Sequence, residues 1–316
     1  MIINYFIPPH PTLKLFIDRN ILSTSNNKRS RNMKKLLFLF FLFSFILTLF
    51  YNSPVTAQEP VAPNGKFVTV KGLKLYYEET GKGMPLLLMS GFGRTASDWR
   101  PFTPVLSKYF RVIALDIPGH GRSDYMDTTD VYLHKRAAEY IIGLLDSLHI
   151  DSVNVLGASS GGFITLYIAS LRPQLTKRII VIGGQVYYSN TTREVITAMG
   201  GPEKNPGAPL ESLIKAHGQQ KGNLLARQFW NFRKLYGDPS FTPDILSTIK
   251  ANALIIHGDK DPIAPVSNAW EMYQNIPKAN LWVVPHAGHV PFVEPGNNDD
   301  FMRRILEFLR GDWEKK

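Results

Sequence analysis

The sequence of 316 residues contains no cysteine. That excludes thiolate zinc sites, disulfide scaffolds and cysteine nucleophiles. It is also compatible with an oxidising compartment, because no thiol can mispair there. Acidic side chains are in deficit: 26 Asp and Glu stand against 36 Lys and Arg, a net charge of +10. A basic surplus suggests nucleic acid only where it lies on the folded body. Here seven basic residues and one Asp fall within residues 1–57, which leaves 29 basic against 25 acidic residues beyond them. The body is close to balance, and no nucleic-acid partner is expected. Apolar residues make up 44% of the chain and charged residues 20%, enough to bury a core and to exclude wholesale disorder. No internal repeat is visible.

The basic leader has its own pattern. Lys34 and Lys35 precede an almost wholly apolar run from Leu36 to Tyr51, and Ser53-Pro54-Val55-Thr56-Ala57 ends it in small residues. A charged start, an apolar middle and a small-x-small exit describe a secretory signal cleaved after Ala57. The run is short of the roughly 20 residues that span a bilayer, and an uncleaved membrane anchor is the competing reading. Residues 1–32 precede a good start at Met33 and are read as an over-extended beginning. Residues 33–57 are then the leader and residues 58–65, with Pro60 and Pro63, a linker. The expected location is outside the cytoplasm, or on the membrane if the anchor persists.

From Lys66 the chain alternates short aliphatic runs with helical patterns. Phe67–Val70 and Leu73–Glu79 form a hairpin joined at Lys71-Gly72. Leu86–Met89, Val112–Leu115, Val153–Leu156, Ile179–Ile182, Leu254–Ile256 and Leu281–Val284 are brief apolar runs of the kind buried on both faces of a parallel sheet. Between them, Leu133, Ala137, Tyr140, Ile141, Leu144, Leu145 and Leu148 recur at helical spacing. Phe301–Leu309 is a closing helix. The alternation predicts an α/β class, a doubly wound and mostly parallel sheet. Residues 185–250 interrupt it with helical pattern and no convincing strand, too long for an ordinary connection. They are read as a helical cap inserted into a core of residues 66–184 and 251–312.

Gly157-Ala158-Ser159-Ser160-Gly161-Gly162 follows the run Val153–Leu156 and opens a helix. A serine on so sharp a strand-to-helix turn presents its hydroxyl, and the helix N-terminus offers free N–H groups to a developing negative charge. Small residues two before and two after are required, and Gly157 and Gly161 meet that need for Ser159. A serine near neutral pH needs a base, and the base needs an orienting group. Asp261 follows one later strand and His289 the next, and strand ends on one side of a parallel sheet converge.

The order Ser, Asp, His and these motifs resemble the α/β-hydrolase fold family, in particular its capped members, over roughly Lys66 to Leu309. The family's acid motif corresponds to Gly258-Asp259-Lys260-Asp261-Pro262, which marks Asp261, with Asp259 as its rival. Gly288-His289 corresponds to the family's terminal Gly-His. The resemblance implies an oxyanion hole from the N–H groups of Phe92 and Ser160, after Ser90-Gly91-Phe92-Gly93, where relatives usually carry His-Gly. Asp116-Ile117-Pro118-Gly119-His120-Gly121-Arg122-Ser123 matches a structural turn of the family, and His257 is read as packing support. His286 and His289 lack the helix and further ligands of a metal site, so neither metal nor organic cofactor is expected.

The reaction this implies is attack of Ser159 on the carbonyl of a small-molecule ester, with lactones, carbon–carbon cleavage and perhydrolysis as alternatives on the same fold. Serine at the turn argues against dehalogenase and epoxide hydrolase chemistry, whose relatives carry Asp there. The Gly-Gly-Ser-Trp-Gly turn of proline-releasing aminopeptidases is absent. A binding protein that keeps the fold without the chemistry is the reading from another class. Trp99, Phe229 and Trp230 are weak candidates for lining an apolar pocket. For the leader, mass spectrometry of the exported protein is expected to find a mature start at Gln58; retention of Leu36–Tyr51 would mean an anchor.

Overall fold

A computed structural model describes residues 62–126, 128–202, 208–293 and 298–315. The leader, the stretch before it and most of the linker lie outside the described residues. Among the described residues no helix is long and apolar enough to cross a membrane.

Eight strands form one sheet: β1 (Gly65–Val70), β2 (Leu73–Thr80), β3 (Pro85–Met89), β4 (Arg111–Leu115), β5 (Val153–Ala158), β6 (Thr176–Ile182), β7 (Asn252–Gly258) and β8 (Ala279–Val284). Their order is β1-β2-β4-β3-β5-β6-β7-β8. The first two strands pair antiparallel and β2 lies antiparallel on β4; every later pair is parallel. Both residues of the β1–β2 turn, Lys71 and Gly72, take positive φ (48° and 83°), as two-residue hairpin connections demand. The linker ends slightly earlier than expected, because Gly65 already pairs with Glu78.

Side chains alternate across the sheet. Leu87, Met89, Val155, Ile179, Val181 and Ile255 enter one core, while Leu86, Leu88, Leu156, Ile180, Ile182, Leu254 and Ile256 enter the other. Runs that are apolar throughout are therefore buried on both faces. Helices cover each face. On the first lie α2 (His134–Ser147), α3 (Ser160–Leu171) and α8 (Val266–Asn275); on the second lie the short α1 (Thr103–Leu106) and α9 (Asn298–Arg310). The stripe Ala137, Ile141, Leu144 and Leu145 of α2 is fully buried, as its spacing predicts. From Ser160 to Ala169, α3 is buried all round, consistent with a helix wedged between sheet and neighbours.

Between β6 and β7 the described residues form α4 (Asn190–Met199), α5 (Ala208–His217), α6 (Gln219–Asn231) and the short α7 (Pro243–Ser247), with no strand beyond a single Tyr187–Ser240 bridge. Polar contacts fasten this insertion to the body. Gln228 Nε2 donates to the Thr129 carbonyl, and Lys221 Nζ donates to the carbonyls of Gly121 and Ser123. The carboxylate of Asp238 accepts the first N–H of α2, where a negative charge also meets the positive end of the helix dipole.

The turn from Asp116 to Ser123 is held by one buried carboxylate. Asp116 accepts from Ala96 N, Arg122 N, Arg122 Nε and Arg122 Nη2 at 2.7–2.9 Å. The turn is structural, in line with its expected role. Asp116→Ala would leave the Arg122 guanidinium buried without its main partner and is expected to cost about 3–5 kcal/mol, measured by denaturant unfolding.

Three of the buried histidines, His120, His217 and His257, are held neutral. Burial first, and nearby His217 and Lys221 second, hold His120 well below the ordinary imidazole value. Burial likewise lowers His257 and brings His217 to about 4. Unfolded, each would take up a proton near the ordinary value of 6.5. The unfolded chain thus binds more protons over that window. Stability is fully present above about pH 6.5 and is expected to fall toward pH 4, by up to about 1.4 kcal/mol per pH unit for each histidine. Denaturant midpoints measured across this range check it; a flat profile would contradict neutral burial.

Candidate active site

The residue at the end of β5 carries the local strain. Ser159 has φ 51° and ψ −117°, a conformation that L-residues rarely adopt and that costs about 1–3 kcal/mol. Its neighbours explain how the turn closes: a Cβ on Gly157 would stand 2.1 Å from the Gly161 carbonyl oxygen, and one on Gly161 would stand 2.4 Å from the Met89 carbonyl oxygen. Two residues without side chains are thus required for the backbone to pass so tightly, and Ser159 is left at the carboxyl end of the central strand β5.

Two further strand ends bring their residues to it. The Ser159 hydroxyl lies 2.9 Å from His289 Nε2, and His289 Nδ1 lies 2.7 Å from Asp261 Oδ2. The consistent assignment is Ser159 O–H donating to Nε2 and Nδ1–H donating to the carboxylate. Asp261 is fixed in turn, its Oδ1 accepting the N–H groups of Ile263 and Ala264 at 2.8 and 2.9 Å. Burial alone would raise its carboxyl, but the His289 imidazole and these N–H donors outweigh that and hold it below the ordinary carboxylate value. His257 Nε2 donates to the Ala264 carbonyl at 2.9 Å and sits 3.4 Å from the same carboxylate. Asp259 is on the surface beside Lys260, away from the imidazole. His286 is exposed in its loop, and among the described residues no group of three His, Cys, Asp or Glu is arranged to hold a metal ion.

The loop after β3 runs against this centre: a Cβ on Gly91 would lie 3.2 Å from the Ser159 Cβ and 3.8 Å from its hydroxyl oxygen. Phe92 follows directly. Ser160 is the first residue of α3, so its N–H precedes the helical ladder and faces outward with the helix's positive end.

The candidate pocket residues part company. The Phe92 ring stands edge-on to His120, Tyr132 and Phe232, at centroid distances of 4.7, 5.3 and 5.0 Å, and tilted 6.0 Å from Phe229. Trp99 is not part of that group. It is 2% exposed and packs on Phe102 and Phe292 in the core of the opposite sheet face, so its expected lining role is corrected to a packing one. Trp230 is also turned away: its ring lies under the Arg233 guanidinium at 3.8 Å and beside Gly201. Phe232, one step past the end of α6, takes the place beside Phe92.

Three polar residues around the centre carry no motif and went unnoticed in the sequence. His134, fully buried, contacts the Ser160 hydroxyl through Nε2 at 3.0 Å. Its partner Asp238 comes from the insertion. His217, at the end of α5, reaches Gly93 and Gly121. Only the strand–loop positions of Ser159, Asp261 and His289 gave a signal that could be read locally.

A family model for the alpha/beta hydrolase family matches residues 86–300. A 2-hydroxy-6-oxo-6-(2'-aminophenyl)hexa-2,4-dienoic acid hydrolase of Metapseudomonas resinovorans is 24% identical over 265 residues, which cover 77% of this chain and 90% of that protein. Among solved structures, a meta-cleavage product hydrolase from Pseudomonas fluorescens is similar with a TM-score of 0.63 and 23% identity. A thermophilic esterase from Thermogutta terrifontis is similar with a TM-score of 0.61 and 22% identity. Each of the two likenesses covers 78% of this chain and 98% of the other, and they share its fold. The family match takes in the elbow serine, the acid loop and the histidine loop together, and the chain belongs to the alpha/beta hydrolase family and is a hydrolase.

Proposed function

We propose that the protein is a serine hydrolase that cleaves a small, apolar carboxylic ester through an acyl-enzyme, with Ser159 as nucleophile, His289 as base and acid, and Asp261 as the group that orients the imidazole. The unbroken hydrogen-bonded line from Ser159 through His289 to Asp261 is the observation that supports this most. The Ser159 oxygen forms a bond to the ester carbonyl carbon while its proton passes to His289 Nε2. The carbonyl electron pair moves onto oxygen, where the N–H groups of Phe92 and Ser160 hold it, an electrostatic contribution that is usually large. Collapse of this adduct breaks the bond to the alkoxy oxygen, which leaves as an alcohol with the proton from His289. A water molecule then repeats the sequence, and the carboxylic acid is released. Asp261 keeps the imidazole in the tautomer that accepts at Nε2 and balances its charge when protonated.

The aromatic group of Phe92, Phe229 and Phe232, joined to the nucleophile's surroundings through the loop of Gly91 and Phe92, favours an apolar acyl or alcohol portion. A second reading, hydrolysis of a carbon–carbon bond next to a ketone, is favoured by the names of the Metapseudomonas relative and of the Pseudomonas structure. It would use the same attack with a carbon leaving group. The basic and apolar leader supports export of the enzyme, with anchoring at the membrane as the alternative.

Ser159→Ala and His289→Ala are each expected to lower kcat on p-nitrophenyl acetate by roughly 10³-fold or more without loss of the fold. Asp261→Asn should be severe as well, whereas Asp259→Asn should not. Equal turnover by wild type and Ser159→Ala would leave a ligand-binding role. A substrate panel of acyl chain lengths, lactones and 6-oxo-dienoic acids separates the two chemistries by kcat/KM.

A further inference from the structure

The loop that carries Phe92 is closed at its base, where Ser90 Oγ donates to the Thr95 carbonyl at 3.0 Å, and is tied to the body where Ala96 N–H donates to Asp116 Oδ1 at 2.7 Å. Its middle is reached from the other side. His217 closes α5 in the insertion, and its side chain is buried. The Gly121 N–H donates to its Nδ1 at 2.8 Å, and its Nε2–H donates to the Gly93 carbonyl at 2.9 Å. Gly93 is the residue directly after Phe92, and Leu213, one turn earlier on α5, lies against it. One neutral imidazole therefore bridges the presenting loop and the structural turn below it, using both ring nitrogens.

We propose that His217 is a positioning residue for catalysis: it fixes the Gly93–Arg94 peptide, two peptides on from the one that carries the Phe92 N–H, so that this N–H points at the oxyanion only while α5 is seated. The bond acts in the right place. Rotating the Gly93 carbonyl would move the main chain within one residue of the donor, and a displacement of about 1 Å in such a donor is costly to the transition state alone. The neighbours are arranged to keep the bridge. Lys221 on α6 donates to the carbonyls of Gly121 and Ser123, holding the turn that supplies the N–H. The His120 ring meets His217 edge-on at 5.7 Å and also meets Phe92 at 4.7 Å, so the three rings settle together.

The inference rests on the serine-hydrolase reading, and the experiment separates the two. Ester kinetics and affinity for an aryl trifluoromethyl ketone, which forms a tetrahedral adduct with an active serine, would be measured for wild type, Ser159→Ala, and the Ala, Leu and Gln variants at His217. Leucine retains volume in case the alanine cavity unfolds the chain. Glutamine can accept from Gly121 and donate to Gly93 as the neutral imidazole does. The Leu or Ala variant is expected to lose about 10- to 100-fold in kcat and in ketone affinity with KM changed by less than about threefold, while Gln recovers most of both. Wild-type kcat and ketone affinity in a folded Leu or Ala variant would overturn the proposal, as would a folded Gln variant no better than Leu. If wild type turns over no faster than Ser159→Ala, the serine-hydrolase reading itself fails.

Discussion

The strained peptide at Ser159 is the constraint from which the rest of the centre follows. A positive φ at a non-glycine residue persists only where the surroundings over-determine it, and here they do so from three sides. Gly157 and Gly161 let the elbow close on itself, Gly91 lets the β3 loop pass beside it, and the Ser159 N–H is bonded to the Ile182 carbonyl at 2.8 Å. The parallel sheet then brings the β7 and β8 ends to the same edge, so Asp261 and His289 arrive on loops whose bases are hydrogen-bonded to one another. Gly183, at φ 59°, makes room for the arrival: a Cβ there would stand 2.5 Å from the His289 carbonyl oxygen. The hydroxyl, imidazole and carboxylate are thus aligned by backbone geometry that exists before any substrate binds.

The insertion between β6 and β7 does more than cover this edge. It sends a carboxylate, Asp238, to the first N–H of α2, whose His134 touches the Ser160 hydroxyl, and it sends His217 to the loop after Phe92. Ser160 and Gly93, the residues after Ser159 and Phe92, are each bonded to a buried histidine, His134 and His217. Such an arrangement couples the seating of α5 and α6 to the geometry of the centre, and the His217 bridge, which accepts at Nδ1 and donates at Nε2, demands a neutral imidazole. That is a physical reason for a protein to keep uncharged histidines where water does not reach.

Much of the framework was legible because its signals are local. Strand cores such as Leu86–Met89 are short apolar runs, the Lys71-Gly72 turn is two residues, and the serine, acid and histidine loops each follow a strand directly. The strands extend one to three residues beyond their apolar runs where polar residues such as Arg111 or Asn252 join the ladder, because such residues carry no apolar signal. Contacts that join residues about a hundred positions apart left no such trace: His217 to Gly121 and His134 to Asp238 are separated by 96 and 104 residues. Aromatic rings were harder still. Trp99 follows a loop with no periodicity to say which sheet face it joins, and Trp230 and Phe232 lie two residues apart where α6 gives way to a tighter turn, so a small change in direction decides which ring meets Phe92.

The central claim is that Ser159, activated by His289, is the attacking group. It is tested most directly by treating the protein with a fluorophosphonate and locating the adduct by peptide mass spectrometry. The account predicts a single adduct on Ser159 that forms in wild type and is lost in His289→Ala. No adduct, or one carried by Ser160 or another residue, would contradict it.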